Sequence, residues 1–592
     1  MALSEGFLQK IVVTLQLVNI NHSIKYTMRH HTFPCRTLLF FLLAVTALGA
    51  AAQYVARSQG NNRYHRRGNY SDVYEVRMSR AGTLEKELGQ KGYDMVRLLR
   101  IDGTINNDDI NFIKKLCQRS KVLDDVGNKV DNFLDLDLEY ARMESRSLFG
   151  SSRTYEIVSS AFSYCTHLRS VVLPDRTTVI GRRAFCDCDN LEDVIMPPSV
   201  HTIDESAFES CNNLARIDLP RNLERIGKKA FDGCYELRNI NLYDGLVEIG
   251  EQAFRNTGIT RITLPQSLEV IGKEAFAKSK LRELNIPSRA IIDSDFLGEM
   301  PQLQVITVDR GNRNYTVADG LLCDYQMTTV LQCPANLTGA VQVPDGVTAI
   351  ATKAFTGCNR LSAIDLPESL NSIGNYAFAG CQFQSINLSD NITHMGVGAF
   401  NDCNRLTAVI LPQGLAHVPE SAFEGCKALR QVNFGAMLNT IGERAFKNCN
   451  NISAIILPQT LMNIGKEAFR SCEIVKAVTI PAQVSIVGKE AFRSCKSLAF
   501  IELENGIVSI EDNAFRETAI SVLTIPPSVN HIGKKIVEKC KSLARINCHA
   551  MTPPTLDKVS DDKVPLYVPG NAVATYKSAK NWKNFKQVLP LD

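Results

Sequence analysis

The chain has 592 residues, too many for one compact core, so it must either divide into domains or grow as an array in one dimension. Lysine and arginine number 66 against 62 acidic residues, which leaves no global field to attract nucleic acid. A 45% hydrophobic content excludes a wholly disordered or fibrous chain.

An export signal comes first. From Met28 the chain reads MRHHTFPCRTLLFFLLAVTALGAAAQ, with Arg29 and Arg36 ahead of an apolar run from Leu38 to Ala52. Ala50 and Ala52 occupy the small-residue positions before a cleavage site, so residues 28–52 read as a signal peptide. The run is shorter than the roughly 20 residues of a membrane-spanning helix, and no transmembrane span is expected after cleavage. An uncleaved anchor is the alternative. Residues 1–27 precede a complete signal and read as an over-called start. Residues 53–80 are polar and arginine-rich without periodicity, the pattern of a flexible linker.

Beyond the linker the chain repeats itself. A phenylalanine returns at Phe162, Phe185, Phe208, Phe231, Phe254, Phe276 and Phe296, then from Phe355 through Phe515, almost always at steps of 22 or 23 residues. The unit is L-x-x-I-x-L-P, a turn, then V-x-x-I-G-x-x-A-F-x-x-C. Ile217 and Leu219 alternate with Asp218, the period of a strand with one buried face. Pro220 ends that strand, and Gly227 lets the backbone reverse. Ala230 and Phe231 are expected to turn inward from a short helical turn. One coil cannot bury these groups alone, whereas stacked coils can, with each phenylalanine over the last at about 4.8 Å. The fold class is therefore a β-rich α/β solenoid with parallel strand ladders and short helical turns.

Twelve of the 18 cysteines stand three residues after the phenylalanine slot. Thr257, Ser279 and Thr518 fill the same slot, which no disulfide or metal site would tolerate, so the column reads as buried free thiols. Cys323 and Cys333 flank DYQMTTVLQ in an expected hairpin, where a local cross-strand disulfide is one alternative.

The L-x-x-I-x-L-P…I-G-x-x-A-F-x-x-C unit resembles the BspA-type leucine-rich repeat of bacterial surface proteins. The likeness implies a right-handed coil array with a cap at each end. GTLEKELGQ…LRIDGTINNDDINFIKKL is similar to the family's N-terminal cap (81–147). The first repeat array would cover 148–310 and a hairpin module would interrupt it at 311–345. The second array (346–548) and a C-terminal cap (549–592) follow. Asp108 or Asp109 is expected to cap a helix whose Ile110, Ile113 and Leu116 share one face. Tyr576, Trp582 and Phe585 should cover the last coil.

No H-E-x-x-H, G-x-S-x-G or P-loop occurs, so neither catalysis nor a metal or other cofactor is expected. Outward residues of stacked strands form rows instead, and Arg216, Asp218, Asn239, Asn241, Arg261 and Thr263 make a polar candidate ligand face. The expected partner is a protein or glycan, not nucleic acid. The resemblance implies a secreted or cell-surface protein that adheres to host or extracellular matrix proteins. A glycan-presenting accessory to a partner hydrolase and a passive spacer are the alternatives.

Overall fold

The computed structural model describes residues 73–124, 127–147, 150–293, 298–558 and 563–591. The expected start, signal peptide and most of the linker lie outside them, as does Phe296. The linker's last residues do not read as the sequence suggested. Val73–Arg77 form strand β1, paired in parallel with β2 (Leu98–Ile105) in the register Val73↔Leu98. The alternation of Val73, Glu75 and Arg77 outward with Tyr74 and Val76 inward was hidden by the arginine-rich stretch before it.

Between these strands runs α1 (Leu84–Met95), broken at Gly89, whose φ of 67° no helix interior adopts. Helix α2 (Asn107–Gln118) buries Ile110, Ile113 and Leu116 as their spacing requires. Its N-cap, however, is Asn106 rather than either aspartate. The Asn106 side chain accepts from the Asp108 and Asp109 amides, and Asp109 reaches back to the Asn106 amide at 3.0 Å. Asp109 also accepts from the Gly82 and Leu84 amides at 2.6 and 3.0 Å, so one buried carboxylate fixes the start of both helices.

A small hairpin, β3 (Lys121–Leu123) with β4 (Lys129–Asp131), leads to β5 (Leu134–Asp137). Strand β5 pairs with both β2 and Leu168–Val172, so the cap's sheet is the start of the array's first ladder. Buried Asp135 and Asp137 are matched there by Arg169 and Arg100.

Each coil then contributes two strand segments and a turn. The second segment, the Val-Ile pair before the glycine, forms parallel ladders of seven strands from Glu156–Ile157 to Ile291–Ile292 and again from His417–Val418 to Thr555–Leu556. The sheet break just ahead of His417 has a local cause. In most coils an amide in the next slot bonds to the coil before, as Gly442 N–H does to Val418 O at 2.8 Å. Pro419 occupies that slot and has no N–H to give.

The turns differ in detail from the helical turn expected. In the coil of Phe231, Ala230 N–H bonds to Gly227 O and Cys234 N–H to Phe231 O, with Lys229 and Gly233 at φ of 54° and 81°. These are successive tight turns with a left-handed third residue. Gly227 is not itself left-handed. A Cβ there would lie 2.8 Å from the Glu205 amide, so the glycine serves close approach of adjacent coils rather than reversal.

The phenylalanines stack, with centroids 5.1 to 6.1 Å apart. This is wider than strand spacing because parallel rings prefer an offset. The core falls into two clusters divided at the hairpin of Tyr315–Ala318 and Leu321–Asp324. Strand alternation sends Leu322 into the first and Leu321 and Cys323 into the second. At the far end Tyr576, Trp582 and Phe585 are buried on the last coil. Trp582 Nε1 donates to Pro554 O at 2.7 Å and Tyr576 Oη to Ala550 O at 2.8 Å.

Candidate binding face

A repeat places one residue of each kind per coil, so chemistry on this fold comes from rows. Two rows that the phenylalanine period makes regular carry none. The thiols of Cys211, Cys234, Cys426 and Cys449 are fully buried, and each donates to the phenylalanine carbonyl of the preceding coil at 3.1 to 3.2 Å. Thr257 and Thr518 donate instead to the carbonyl of their own coil at 2.9 Å, which is why a hydroxyl substitutes in this slot. Burial raises the thiol pKa of Cys234 and Cys472 in this column and so disfavours the reactive thiolate there. Off the column, burial and the neighbouring Asp187 carboxylate push Cys186 up to about 12. Cys323 and Cys333 are separate free thiols. Cys323 lies opposite Val330 in the hairpin register, while Cys333 turns toward Cys358 in the next coil.

The second row is the charged rim beside the turns. Lys228 meets Glu251 at 2.8 Å, Lys466 meets Glu443 at 2.8 Å, and Lys447 meets Glu467 at 2.9 Å, all between neighbouring coils. The Lys228 and Lys466 pairs are solvent-screened and weak, and all three pairs leave little net charge for a ligand.

The strand rows are different. Arg216, Asp218, Asn239, Asn241, Arg261 and Thr263 are all exposed, while Ile217, Leu219, Ile240 and Leu264 between them are buried. Among the described residues neither Arg216 nor Arg261 has a carboxylate partner. The sheet that begins in the cap ends at Arg216–Ile217, and a new pair of strands begins at Glu283–Ile286. Asn239, Asn241, Arg261 and Thr263 stand in the gap, outside any ladder. Their backbone polar groups therefore face water or a partner.

Aromatics border this patch, although the rows themselves lack them. Tyr235 is 56% exposed, and the Arg221 guanidinium lies 5.2 Å from the centroid of the Tyr243 ring. Tyr243 sits where the repeat departs from its consensus, in the slot that Pro220 holds one coil earlier. That departure was the available signal.

Two concavities add to the faces. One of about 170 Å³ lies at the junction of cap and array, with exposed Tyr140 and Tyr155 on its walls. A more open groove of about 620 Å³ crosses the start of the second array. Among the described residues, no three His, Cys, Asp or Glu side chains are grouped to hold a metal ion, and no helix is long and apolar enough to cross a membrane.

The model of the BspA type leucine rich repeat region matches residues 143–242, 212–316, 332–453 and 429–544, more than half of the chain. No curated protein matches. Similar solved structures include a leucine-rich repeat protein from Eubacterium ventriosum, 21% identical, covering 61% of this chain and 85% of that one with a TM-score of 0.47. A leucine rich cell surface protein from Faecalibacterium prausnitzii is 22% identical over 65% of this chain and 86% of its own, with a TM-score of 0.36. A leucine-rich repeat protein from Bacteroides ovatus is 19% identical over 76% and 90%, with a TM-score of 0.31.

Proposed function

The chain belongs to the BspA-type leucine-rich-repeat family, and on that premise we propose that it is an exported, noncatalytic protein that binds a macromolecular partner through the strand face of its first array. The observation that carries this reading is the row of Arg216, Asn239 and Arg261, exposed and, among the described residues, lacking carboxylate partners for its two arginines, beside the Tyr243–Arg221 stack. Arginine and tyrosine are the residues that most often dominate protein interfaces. A rigid row of them suits a protein ligand better than it suits catalysis, which needs converging groups. Family membership supports a secreted or surface location and adhesion to host or matrix proteins; fold alone supports neither.

The test is a binding panel of matrix proteins, fibronectin and fibrinogen among them, against the full chain, repeated with Arg216→Ala plus Arg261→Ala. A saturable ligand weakened at least tenfold by the double substitution is the expected result. A ligand bound equally well by both forms would contradict the assigned face. A chain that binds nothing in the panel, or presents glycan to a hydrolase instead, would contradict the protein-adhesion reading.

A further inference from the structure

The rim charges of this array are paired across coils, and in the first array two of the arginines just after the strand-start leucine are neutralised as well. Arg169 is held by Asp135 and Arg238 by Glu236. Two arginines at the start of the second array differ from Arg169 and Arg238. Arg360 and Arg405 line the 620 Å³ groove together with Asn359, Ser362, Gln382 and Gln384, and no carboxylate lines it. Both arginines are exposed. Among the described residues neither forms an ion pair with a carboxylate, although Asp402 lies only three residues before Arg405. Lys427 and Arg430, in the next coil along the same edge, are also exposed and, among the described residues, without acidic ion-pair partners. Four cations thus stand along one edge within a span of four successive coils, on a chain whose overall charge is only +4.

We infer that this groove is a binding site for an acidic polysaccharide, distinct from the face around Arg216. The cations favour an anionic ligand, since unpaired guanidiniums can bind carboxylate and sulfate oxygens bidentately. Arg360 and Arg405 lie two coil steps apart, about 10 Å at strand spacing, so the ligand must carry its charges along an extended polymer. Between the arginines the lining is amide and hydroxyl, with Gln382 and Gln384 offering both donors and acceptors. That surface hydrogen-bonds to hydroxyls. It offers no aromatic platform for stacking bases, which single-stranded nucleic acid needs. It also offers no apolar pocket for the anchor side chains of a peptide. A polymer bearing both hydroxyls and anionic groups matches all of these features.

The experiment measures binding of the full chain to heparin, to poly-glutamate and to uncharged dextran, with and without Arg360→Ala plus Arg405→Ala. The expected result is saturable heparin binding that weakens at least tenfold in the double variant, falls with added salt, and is unchanged by Arg216→Ala plus Arg261→Ala. That last arm separates this site from the protein-binding face. Both substituted arginines are exposed, so an unchanged melting temperature should accompany the loss. Heparin binding that survives the double substitution, or is absent from the native chain, would overturn the inference. Poly-glutamate binding as tight as heparin would reassign the groove to acidic peptide.

Discussion

Phe423 stands in the middle of the second aromatic column, fully buried, with Phe400 at 5.2 Å on one side and Phe446 at 5.3 Å on the other. Phe162 opens the first column and, among the described residues, stacks on one neighbour, Phe185 at 5.3 Å. Replacing either by leucine keeps most of the apolar burial and removes the ring. A stacked aromatic pair contributes about 0.5–1.5 kcal/mol beyond its buried area. Phe423→Leu should therefore cost about 1–3 kcal/mol from two lost pairs, and Phe162→Leu about half that. Phe423→Ala adds the cavity and should cost about 3–5 kcal/mol. Urea unfolding reads the difference as a lower midpoint at unchanged slope, the slope guarding against loss of cooperativity. Equal losses at the two positions, or a larger one at Phe162, would refute the idea that each ring is stabilised by its neighbours in adjacent coils.

Asp109→Ala leaves the Gly82, Leu84 and Asn106 amides without their acceptor, and should destabilise the N-terminal cap by at least about 2 kcal/mol; a thermal melt checks this, and an unchanged melting temperature contradicts it. Pro419→Gly supplies the missing N–H and should create a bond to Met395 O, seen as slower amide exchange across residues 416–419. Its net stability should move by less than about 1 kcal/mol, because the added hydrogen bond offsets the lost restriction of proline. Hydrogen bonds from Ser494 and Lys539 hold the Glu517 carboxyl below its ordinary value. A depressed folded-state pKa means the contribution is complete above the unfolded value, about 4.3, and is lost as pH falls through the folded one. Glu517→Gln should therefore lower the melting temperature at pH 7 and have little effect near pH 3. A difference that persists in acid would count against it.

The array was legible because every coil faces the same burial problem and solves it with the same residues. Phe208, Phe231 and Phe254 recur at one period since each needs a ring above and below. The turns were less legible. A left-handed backbone falls on Ser206, Lys229 and Glu274, residue types with no special preference for it, because the neighbouring coil's hydrogen bonds impose the conformation. Asn106 is the less obvious cap because two aspartates follow it, although Asn106 and Asp109 have capping-box spacing. Strand β1 was lost to the composition of the segment before it. On the candidate faces, exposure of Arg216 and Arg261 follows from strand alternation. Tyr243 and the unpaired state of Arg360 and Arg405 do not, since they depend on which residues the neighbouring coils happen to carry.

The central claim is that successive coils share one dry interior, with the thiols inside it and unlinked. Counting reactive thiols with a disulfide reagent, in native buffer and then in guanidinium without reductant, tests this directly. The seventeen buried cysteines of the array and caps should be silent in the native chain and all react once it unfolds. A shortfall after unfolding would reveal disulfides, and rapid reaction of the column in the native chain would show that the interior is open to water; either result contradicts the account.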